Sequence, residues 1–297
     1  MRYLLKTLSF ILRHPLNQHR KAAALSHFVR WQLGSRLVPG AVAVPFVDST
    51  RLLVQPGMKG ATGNIYCGLQ DFEDMAFILQ SLRPGDLFVD VGANVGSYTV
   101  LAAGGAGANC LAFEPVPSTF VNLLDNIRLN NIESKATPRN IAIGAASASL
   151  AFTTGLHTVN HVVADGEAVG TTIRVPVEPL DSVLAGSPVT VMKIDVEGFE
   201  TEVLNGASDA MQRDSLLAVV MELNGSGLRY GHDEIQLHQR MLRWGFTTAR
   251  YDPLQRKLTA GSAQNNPAGN TLYVRDVDSL QNRLRTAPRH TVQGNSL

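Results

Sequence analysis

Short, mostly apolar runs alternate with amphipathic helical stretches through the middle of the chain, and this alternation predicts an α/β domain. The apolar runs lie at residues 87–91, 109–113, 189–194 and 216–223, and residues 140–144 are expected to close a further strand. Runs of this kind are typical of strands that are buried on both faces of a sheet. Helices are predicted over residues 71–82, 118–129 and 233–244, and from Gly198 to about Met211.

The first 60 residues show a different pattern, which predicts a helical and hairpin extension. On a helix, one face carries Leu4, Leu5, Leu8, Ile11 and Leu12, while the opposite face carries Arg2, Lys6 and Arg13. Such a helix either packs on its own domain or makes a peripheral contact with an anionic membrane through residues 1–14. A second helix is predicted at residues 22–34, followed by two strands at 42–46 and 51–55 that form a hairpin.

Polar stretches between these elements predict loops. Residues 60–64 are expected to form a flexible loop, and residues 287–297 a flexible tail. Two β-segments at 147–154 and 171–177 flank a polar loop that contains His157, Asn160, His161 and Asp165. Two further β-segments are predicted at 246–251 and 271–275.

Composition narrows the class of protein. A net charge of +1 gives no support for nucleic-acid binding by bulk electrostatics. The two cysteines, Cys67 and Cys110, lie among apolar neighbours and indicate buried thiols of a reducing compartment. Lys6 interrupts the apolar run that a signal peptide needs. We therefore expect a cytoplasmic protein, at the inner face of the membrane if the first helix binds there.

The segment LFVDVGANVGSYT at residues 87–99 is the most informative one, because a strand leads into a glycine loop and then a helix. The spacing Gly92-x-Asn94-x-Gly96 lacks the third glycine of the dinucleotide fingerprint, and no P-loop sequence follows. Glu114 comes about twenty residues after the first glycine, where an acid can hold both hydroxyls of a ribose. The loop therefore predicts an adenosine cofactor, and at this stage NAD fits as well as any other.

A second informative segment, VTVMKIDVEGFE, covers residues 189–200. If the chain stays extended, Lys193, Asp195 and Glu197 share one side of the strand, with neighbours about 6.5 Å apart. Buried charges at the carboxyl end of a strand are costly, and in open α/β sheets this edge binds ligands. The alternative is an ion-paired cluster with a structural role.

Four motifs in order resemble the FkbM family of S-adenosylmethionine-dependent methyltransferases. They are DVGANVGSYT (90–99), AFEPVPSTF (112–120), NIAIGA (140–145) and KIDVEGFE (193–200), and the similarity extends over about residues 60–276. The resemblance implies a Rossmann-like, seven-stranded sheet with the last strand antiparallel and helices on both faces. It also implies a methyltransferase domain over residues 61–286.

The resemblance also assigns the cofactor contacts. Asp90 would face the amino-acid end of S-adenosylmethionine, Glu114 the ribose, and Asn140 with Ile141 the adenine. The expected cofactor-binding residues are Asp90, Gly92, Ala93, Asn94, Gly96, Ser97, Tyr98, Glu114, Pro115, Asn140, Ile141 and Asp195.

Methylation of an acceptor hydroxyl requires a base or a metal that stabilises alkoxide character, because an alcohol has a pKa far above neutrality. Asp195, Glu197 and His161 are the catalytic candidates, and Mg²⁺ is a candidate metal. The family most often suggests O-methylation of a sugar hydroxyl in a polysaccharide, glycolipid or related metabolite. Another small-molecule hydroxyl or a carboxylate, and a non-catalytic cofactor-binding scaffold, are the alternatives. A nicotinamide oxidoreductase is disfavoured by the missing third glycine.

Overall fold

The N-terminal part of the chain forms a layer of helices around a small hairpin. In this computed structural model, residues 2–37, 40–155, 160–164, 166–168, 170–261, 264–266 and 269–297 are described. The layer consists of α1 (Arg2–Arg13), α2 (Lys21–Leu37), β1 (Val42–Pro45), β2 (Arg51–Val54) and α3 (Lys59–Cys67). Buried Ile11, Leu16 and Trp31 join it to the main apolar core. Both predicted helices and the predicted hairpin are confirmed.

The first half of the central unit alternates helices with strands, as the apolar runs predict. Its elements are α4 (Phe72–Ser81), β3 (Leu87–Val91), α5 (Ser97–Val100), β4 (Asn109–Phe113), α6 (Pro117–Leu129) and β5 (Ala136–Arg139). Helix α5 passes into a π-helical turn over Leu101–Gly105.

The second half begins with a small side sheet. That sheet contains β6 (Ala142–Ile143), β7 (Ala148–Thr153) and β8 (Thr172–Glu178). The chain continues through α7 (Leu180–Leu184), β9 (Val191–Ile194), α8 (Glu200–Asn205), β10 (Ala218–Leu223), α9 (Glu234–Arg243), β11 (Thr247–Asp252), β12 (Lys257–Ala260), β13 (Gly269–Val274), α10 (Val277–Arg285), β14 (Thr291–Val292) and β15 (Asn295–Ser296).

The central sheet has the strand order β12-β11-β13-β10-β9-β3-β4-β5. The five strands from β10 to β5 are parallel, and β13 is antiparallel to both of its neighbours. The resemblance is therefore confirmed in its Rossmann-like sheet and its antiparallel last strand. The sheet has an eighth strand, β12, because the chain after β11 turns back to form an edge hairpin.

Successive residues of the parallel strands point to opposite faces of this sheet. Phe88 belongs to a cluster with α4, α6, α10 and the N-terminal layer, whereas Val89 and Val91 pack with α7, α8 and α9. Both faces are therefore covered by helices. None of the helices in the described ranges combines the length and hydrophobicity that crossing a bilayer requires.

Tertiary packing overturns two of the loop predictions. Residues 60–64 belong to α3 instead of a flexible loop, because Ala61 and Cys67 are fully buried and the packing outweighs the poor helix propensity of glycine. The tail is not loose either. It forms a hairpin with buried Val292 and Leu297, and the Thr291 backbone N–H donates to Asp48 over 2.7 Å.

Two element boundaries also differ from the prediction. The strand expected to close at residues 140–144 ends at Arg139, and Ala142–Ile143 pairs with β8 in the side sheet instead. The helix expected to reach Met211 ends at Asn205, and Ala210–Gln212 is a separate 3-10 turn. Gly206 cannot carry a Cβ because that atom would meet the Gly144 carbonyl oxygen at 2.0 Å. This close approach places the end of α8 against the side sheet.

Candidate active site

A cleft of about 680 Å³ opens at the carboxyl ends of β3, β4, β9 and β10. Strands β3 and β9 are neighbours, and the chain leaves them towards opposite edges of the sheet. Ligands of open α/β sheets bind at such a switch point, and the volume suits a small molecule. Ten predicted site residues line the cleft: Gly92, Ala93, Asn94, Ser97, Tyr98, Glu114, Pro115, Ile141, Asp195 and Glu197.

The glycine loop brings the two informative segments together. A Cβ on Gly92 would lie 1.9 Å from the Asp195 carbonyl oxygen, and its φ is +86°. Only glycine fits both the space and this backbone conformation. The Gly92 and Ala93 backbone N–H groups both donate to the Phe113 carbonyl, which ties the loop to β4. The loop between β3 and α5 is therefore fixed against β4 and β9 at once.

Glu114 is held by two backbone N–H groups. Its Oε2 accepts from Asn94 over 3.0 Å and its Oε1 accepts from Val116 over 2.9 Å. Burial raises the pKa of this carboxyl to about 7, although the two hydrogen bonds oppose the shift. Each carboxylate oxygen retains a lone pair for a ligand hydroxyl. The Asn140 side chain donates to the Glu114 and Pro115 carbonyls and so supports this corner from behind.

Lys193 and Asp195 form the ion pair at the bottom of the cleft. Lys193 Nζ lies 2.6 Å from Asp195 Oδ2, and only 3% of the lysine side chain is exposed. Burial favours neutral lysine, but Asp195 and Asp90 outweigh it and raise the Lys193 pKa. Burial likewise acts to raise the pKa of Asp195, but the charge and hydrogen bond of Lys193 hold it below its usual value. Asp195 is therefore ionised at neutral pH.

Two glutamates complete an acidic cluster with Asp195. Carboxylate oxygens of Asp195, Glu197 and Glu222 lie within 4.8 Å of one another. Burial and the nearby Asp195 charge raise the pKa of Glu197 to about 7 and that of Glu222 to about 8. Glu197 is in the left-handed region with φ +55°, so the extended geometry expected for residues 193–197 ends before it. Proton transfer near neutral pH is best served by groups with such pKa values.

Glu222 belongs to the acidic cluster but was not predicted as a site residue from the sequence. It interrupts the otherwise apolar strand AVVMEL one position before its end, and this was the available signal. Its Oε2 is buried without a hydrogen-bond partner among the described residues. A ligand donor in the cleft would satisfy this oxygen.

Two acids at the start of α4 also line the cleft and were not singled out from the sequence: Asp71, which precedes the helix, and Asp74 in its first turn. The Tyr98 hydroxyl donates to Asp71 over 3.1 Å, and the Asn270 amide donates to Asp74 over 2.8 Å. Burial raises the pKa of Asp74 to about 6. The Lys193 ammonium lies 4.7 Å from the centre of the Tyr98 ring. The two hydrogen bonds link the start of α4 to α5, through Tyr98, and to β13, through Asn270.

Four predicted site residues do not line the cleft. Asp90 is fully buried behind it, where its Oδ2 accepts from the Thr99 hydroxyl over 2.7 Å. Gly96 and Asn140 support loops, and the His161 ring lies 3.0 Å from Glu167. Two other members of the predicted polar loop, His157 and Asp165, lie outside the described residues. His161 therefore does not line the cleft, although its charge acts to lower the pKa of Glu197.

The acidic cluster has the donor atoms for a divalent cation, but its charges are already partly compensated. Lys193 is paired with Asp195, and the raised pKa values of Glu197 and Glu222 favour protons on these groups. A magnesium ion would have to displace this ammonium or these protons. The pairing of Lys193 with Asp195 therefore weighs against a resident metal ion at this cluster.

The sequence profile of the Methyltransferase FkbM domain matches residues 90–247, which are more than half of the chain. This chain belongs to the FkbM methyltransferase family. The match begins at Asp90 in β3 and ends at Thr247, where β11 begins, so it contains the glycine loop, Glu114 and the acidic cluster. The family thus confirms the resemblance seen in the four motifs.

Curated relatives match about half of this chain. The hexuronic acid methyltransferase AglP of Haloferax volcanii is 30% identical over 153 residues, which are 50% of this chain and 59% of that protein. Methyltransferase 1 of Beauveria bassiana is 32% identical over 165 residues, which are 47% of this chain and 66% of that protein. Both matches span less than two thirds of the relative's length. The crystal structure of methyltransferase FkbM from Methylobacillus flagellatus KT is 14% identical, with a TM-score of 0.43 over 85% of this chain and 60% of that one.

Proposed function

We propose that this protein is an S-adenosylmethionine-dependent O-methyltransferase that methylates a sugar hydroxyl of a polysaccharide, glycolipid or related metabolite. The observation that carries the proposal is the position of Glu114. Glu114, the Lys193–Asp195 pair and the glycine loop between β3 and α5 all line the same cleft, and the loop donates to Glu114 through the Asn94 N–H. A ribose-binding acid and a proton-transfer cluster thereby line a single cleft.

The residues of the cleft fit the cofactor. Glu114 has acceptor capacity for two ribose hydroxyls, and the absent side chain of Gly92 leaves the loop backbone close to β9. Ile141, Phe113 and Pro115 supply an apolar wall of the kind that an adenine ring needs. When bound, the cofactor supplies an electrophilic methyl group. Asp195 and Glu222 offer acceptors for its ammonium group.

The remaining chemistry is the removal of a proton from the acceptor hydroxyl. Glu197 is the best base, because its pKa of about 7 leaves a large ionised fraction at neutral pH with enough basicity to take the proton. Lys193 keeps Asp195 ionised, and Asp195 orients a hydroxyl donor next to Glu197. The chain therefore positions the acceptor oxygen and receives its proton without needing a metal.

The charge of the cleft favours an acceptor without a carboxylate. Its acceptor side is lined by Glu73, Asp74, Glu197 and Glu222, and its buried lysine is already paired with Asp195. A carboxylate that entered there would lose hydration and meet the Asp195 charge, whose lysine partner is already engaged. A neutral sugar hydroxyl fits this surface better than the carboxylate alternative.

Calorimetry with S-adenosylhomocysteine tests the cofactor half of the proposal. Glu114→Ala should weaken binding about tenfold or more, because hydrogen bonds to a charged group contribute about 1.5–3 kcal/mol. Exposed Glu133→Ala is the matched control and should bind like the wild type. An unchanged dissociation constant in Glu114→Ala would contradict the ribose assignment.

Mass spectrometry tests the acceptor half. Glycans and lipids of cells with and without this protein should differ by about 14 Da, the mass of one CH₂ group. The difference should disappear in cells that carry Asp195→Ala. A difference confined to non-carbohydrate metabolites would refute the sugar acceptor while leaving the methyltransferase activity standing.

A further inference from the structure

The N-terminal layer carries a strong local excess of basic residues. The first 47 residues contain seven basic residues and no acidic one, namely Arg2, Lys6, Arg13, Arg20, Lys21, Arg30 and Arg36. The other 250 residues hold 19 basic and 25 acidic residues. The nearly neutral charge of the whole chain therefore combines a positive segment, residues 1–47, with a net negative remainder.

This layer also exposes apolar side chains. Ten large apolar side chains are exposed in the described part of the chain, and six of them lie on α1 and α2: Leu4, Leu5, Phe10, Val29, Leu33 and Leu37. Leu33 is 58% exposed and Leu37 is 80% exposed. Isolated exposed apolar residues need no explanation, but such a concentration on two neighbouring helices does.

Helix α2 combines the two features on one face. Val29, Leu33 and Leu37 recur every four residues, so they form one stripe along the helix. Arg30 and Arg36 are exposed and flank this stripe on either side. Ala24 and Trp31, on the opposite face, are buried in the core. Exposed leucines edged by arginines suit a membrane interface, where the leucines reach the apolar zone and the arginines meet anionic headgroups.

The two helices adjoin the cleft. His14 follows directly after α1, lines the cleft and contacts the Leu69 carbonyl through its Nε2 over 2.8 Å. Helix α3, which packs against α2, contributes Gly60 and Asn64 to the cleft wall. Helix α2 therefore lies one helix away from this wall of the cleft, and α1 ends beside the cleft.

We propose that α1 and α2 dock on an anionic phospholipid bilayer and place the cleft next to acceptors held at that membrane. Anionic headgroups complement the exposed arginines beside the stripe, Arg30 and Arg36, and the interface takes up the exposed leucines. A second copy of the chain fits less well, because a symmetric contact would bring arginines against arginines. A nucleic acid would leave the leucines in water. The proposed docking rests on these surface features alone. That docking brings the cleft next to its methyl acceptor rests on the proposed function.

Vesicle co-sedimentation of the full-length protein tests the docking. Wild-type protein should bind vesicles of phosphatidylcholine with phosphatidylglycerol, but bind little to pure phosphatidylcholine, and added salt should release it. The double variants Leu33→Gln/Leu37→Gln and Arg30→Gln/Arg36→Gln should each lower the partition coefficient about tenfold or more. Exposed Leu254→Gln and Arg128→Gln are the matched controls and should bind like the wild type.

The following results would overturn the proposed docking. Equal binding to both vesicle types, or unchanged binding of both double variants, removes the membrane assignment. A wild-type dimer that becomes monomeric in Leu33→Gln/Leu37→Gln, without vesicle binding, assigns the stripe to a second copy. Retention of the wild type by RNA but not by vesicles assigns the basic surface to nucleic acid. All variants should keep the wild-type affinity for S-adenosylhomocysteine, so failure of the docking is distinguishable from failure of the proposed function.

Discussion

The buried ammonium of Lys193 holds the acidic side of the site together, and Lys193→Met tests this directly. Its Nζ is 2.6 Å from Asp195 Oδ2. The charges of Asp195, Asp90 and Asp71 all act to raise the lysine pKa. Methionine keeps most of the apolar stem and removes the charge. The variant therefore leaves Asp195 and Asp90 without their shared counter-charge.

The size of the effect follows from the burial of the two partners. Removing one partner of a fully buried ion pair costs about 3–5 kcal/mol. The Asp195 side chain is 32% exposed and can recover part of its hydration. We therefore expect Lys193→Met to lower the free energy of unfolding by about 2–3 kcal/mol at pH 8. Without the ammonium the pKa of Asp195 rises, so at pH 5 a bound proton replaces the lost charge and the deficit becomes smaller.

Urea unfolding of the wild type, Lys193→Met, Asp195→Asn and the double variant gives the coupling free energy of the pair. It should exceed about 1 kcal/mol at pH 8 and shrink at pH 5. Lys135→Met is the control, because Lys135 is exposed. A coupling below about 0.5 kcal/mol at pH 8, or a deficit that does not depend on pH, would refute the reasoning.

Further predictions concern the loop, the acid cluster, the pH dependence and the metal. Gly92→Ala should lower the free energy of unfolding by about 3 kcal/mol or more, since its Cβ would meet the Asp195 carbonyl. Gly85 also has a positive φ but lies in open space, so Gly85→Ala should lower it by only about 1 kcal/mol. Equal losses of the two variants in urea unfolding would contradict this reasoning. Asp195→Ala should abolish methyl transfer while S-adenosylhomocysteine binding is retained or weakened, and wild-type rates would dismiss its assignment. Burial raises the pKa of Glu200 from 4.5 to about 7, so its contribution to the free energy of unfolding is complete below pH 4.5 and is lost as the pH rises through 7. Glu200→Gln should therefore flatten the fall in stability between pH 5 and 8, and an unchanged slope would contradict the burial of this group. Chelation with EDTA should leave turnover unchanged because Lys193 already supplies the cation, and recovery of a lost rate by Mg²⁺ would restore the metal candidate.

The sequence alone determined the strand and loop framework of the site. Strands β3, β4 and β9 follow from short apolar runs, and the loop after β3 follows from Gly92 and Gly96. Glu114 was predicted as a site residue from its distance along the chain after the first glycine of the loop. These features depend on local periodicity and on backbone freedom, and both can be read directly from neighbouring residues.

Only the tertiary structure decided which of these groups meet. It placed Glu222 beside Asp195, turned Asp90 behind the cleft, and paired His161 with Glu167. It also made residues 60–64 helical and packed the C-terminal hairpin on Asp48. Each outcome depends on contacts between segments that are distant in the chain, or on how deeply a loop is buried. Local sequence preferences differ by about 1 kcal/mol or less, which such burial readily outweighs.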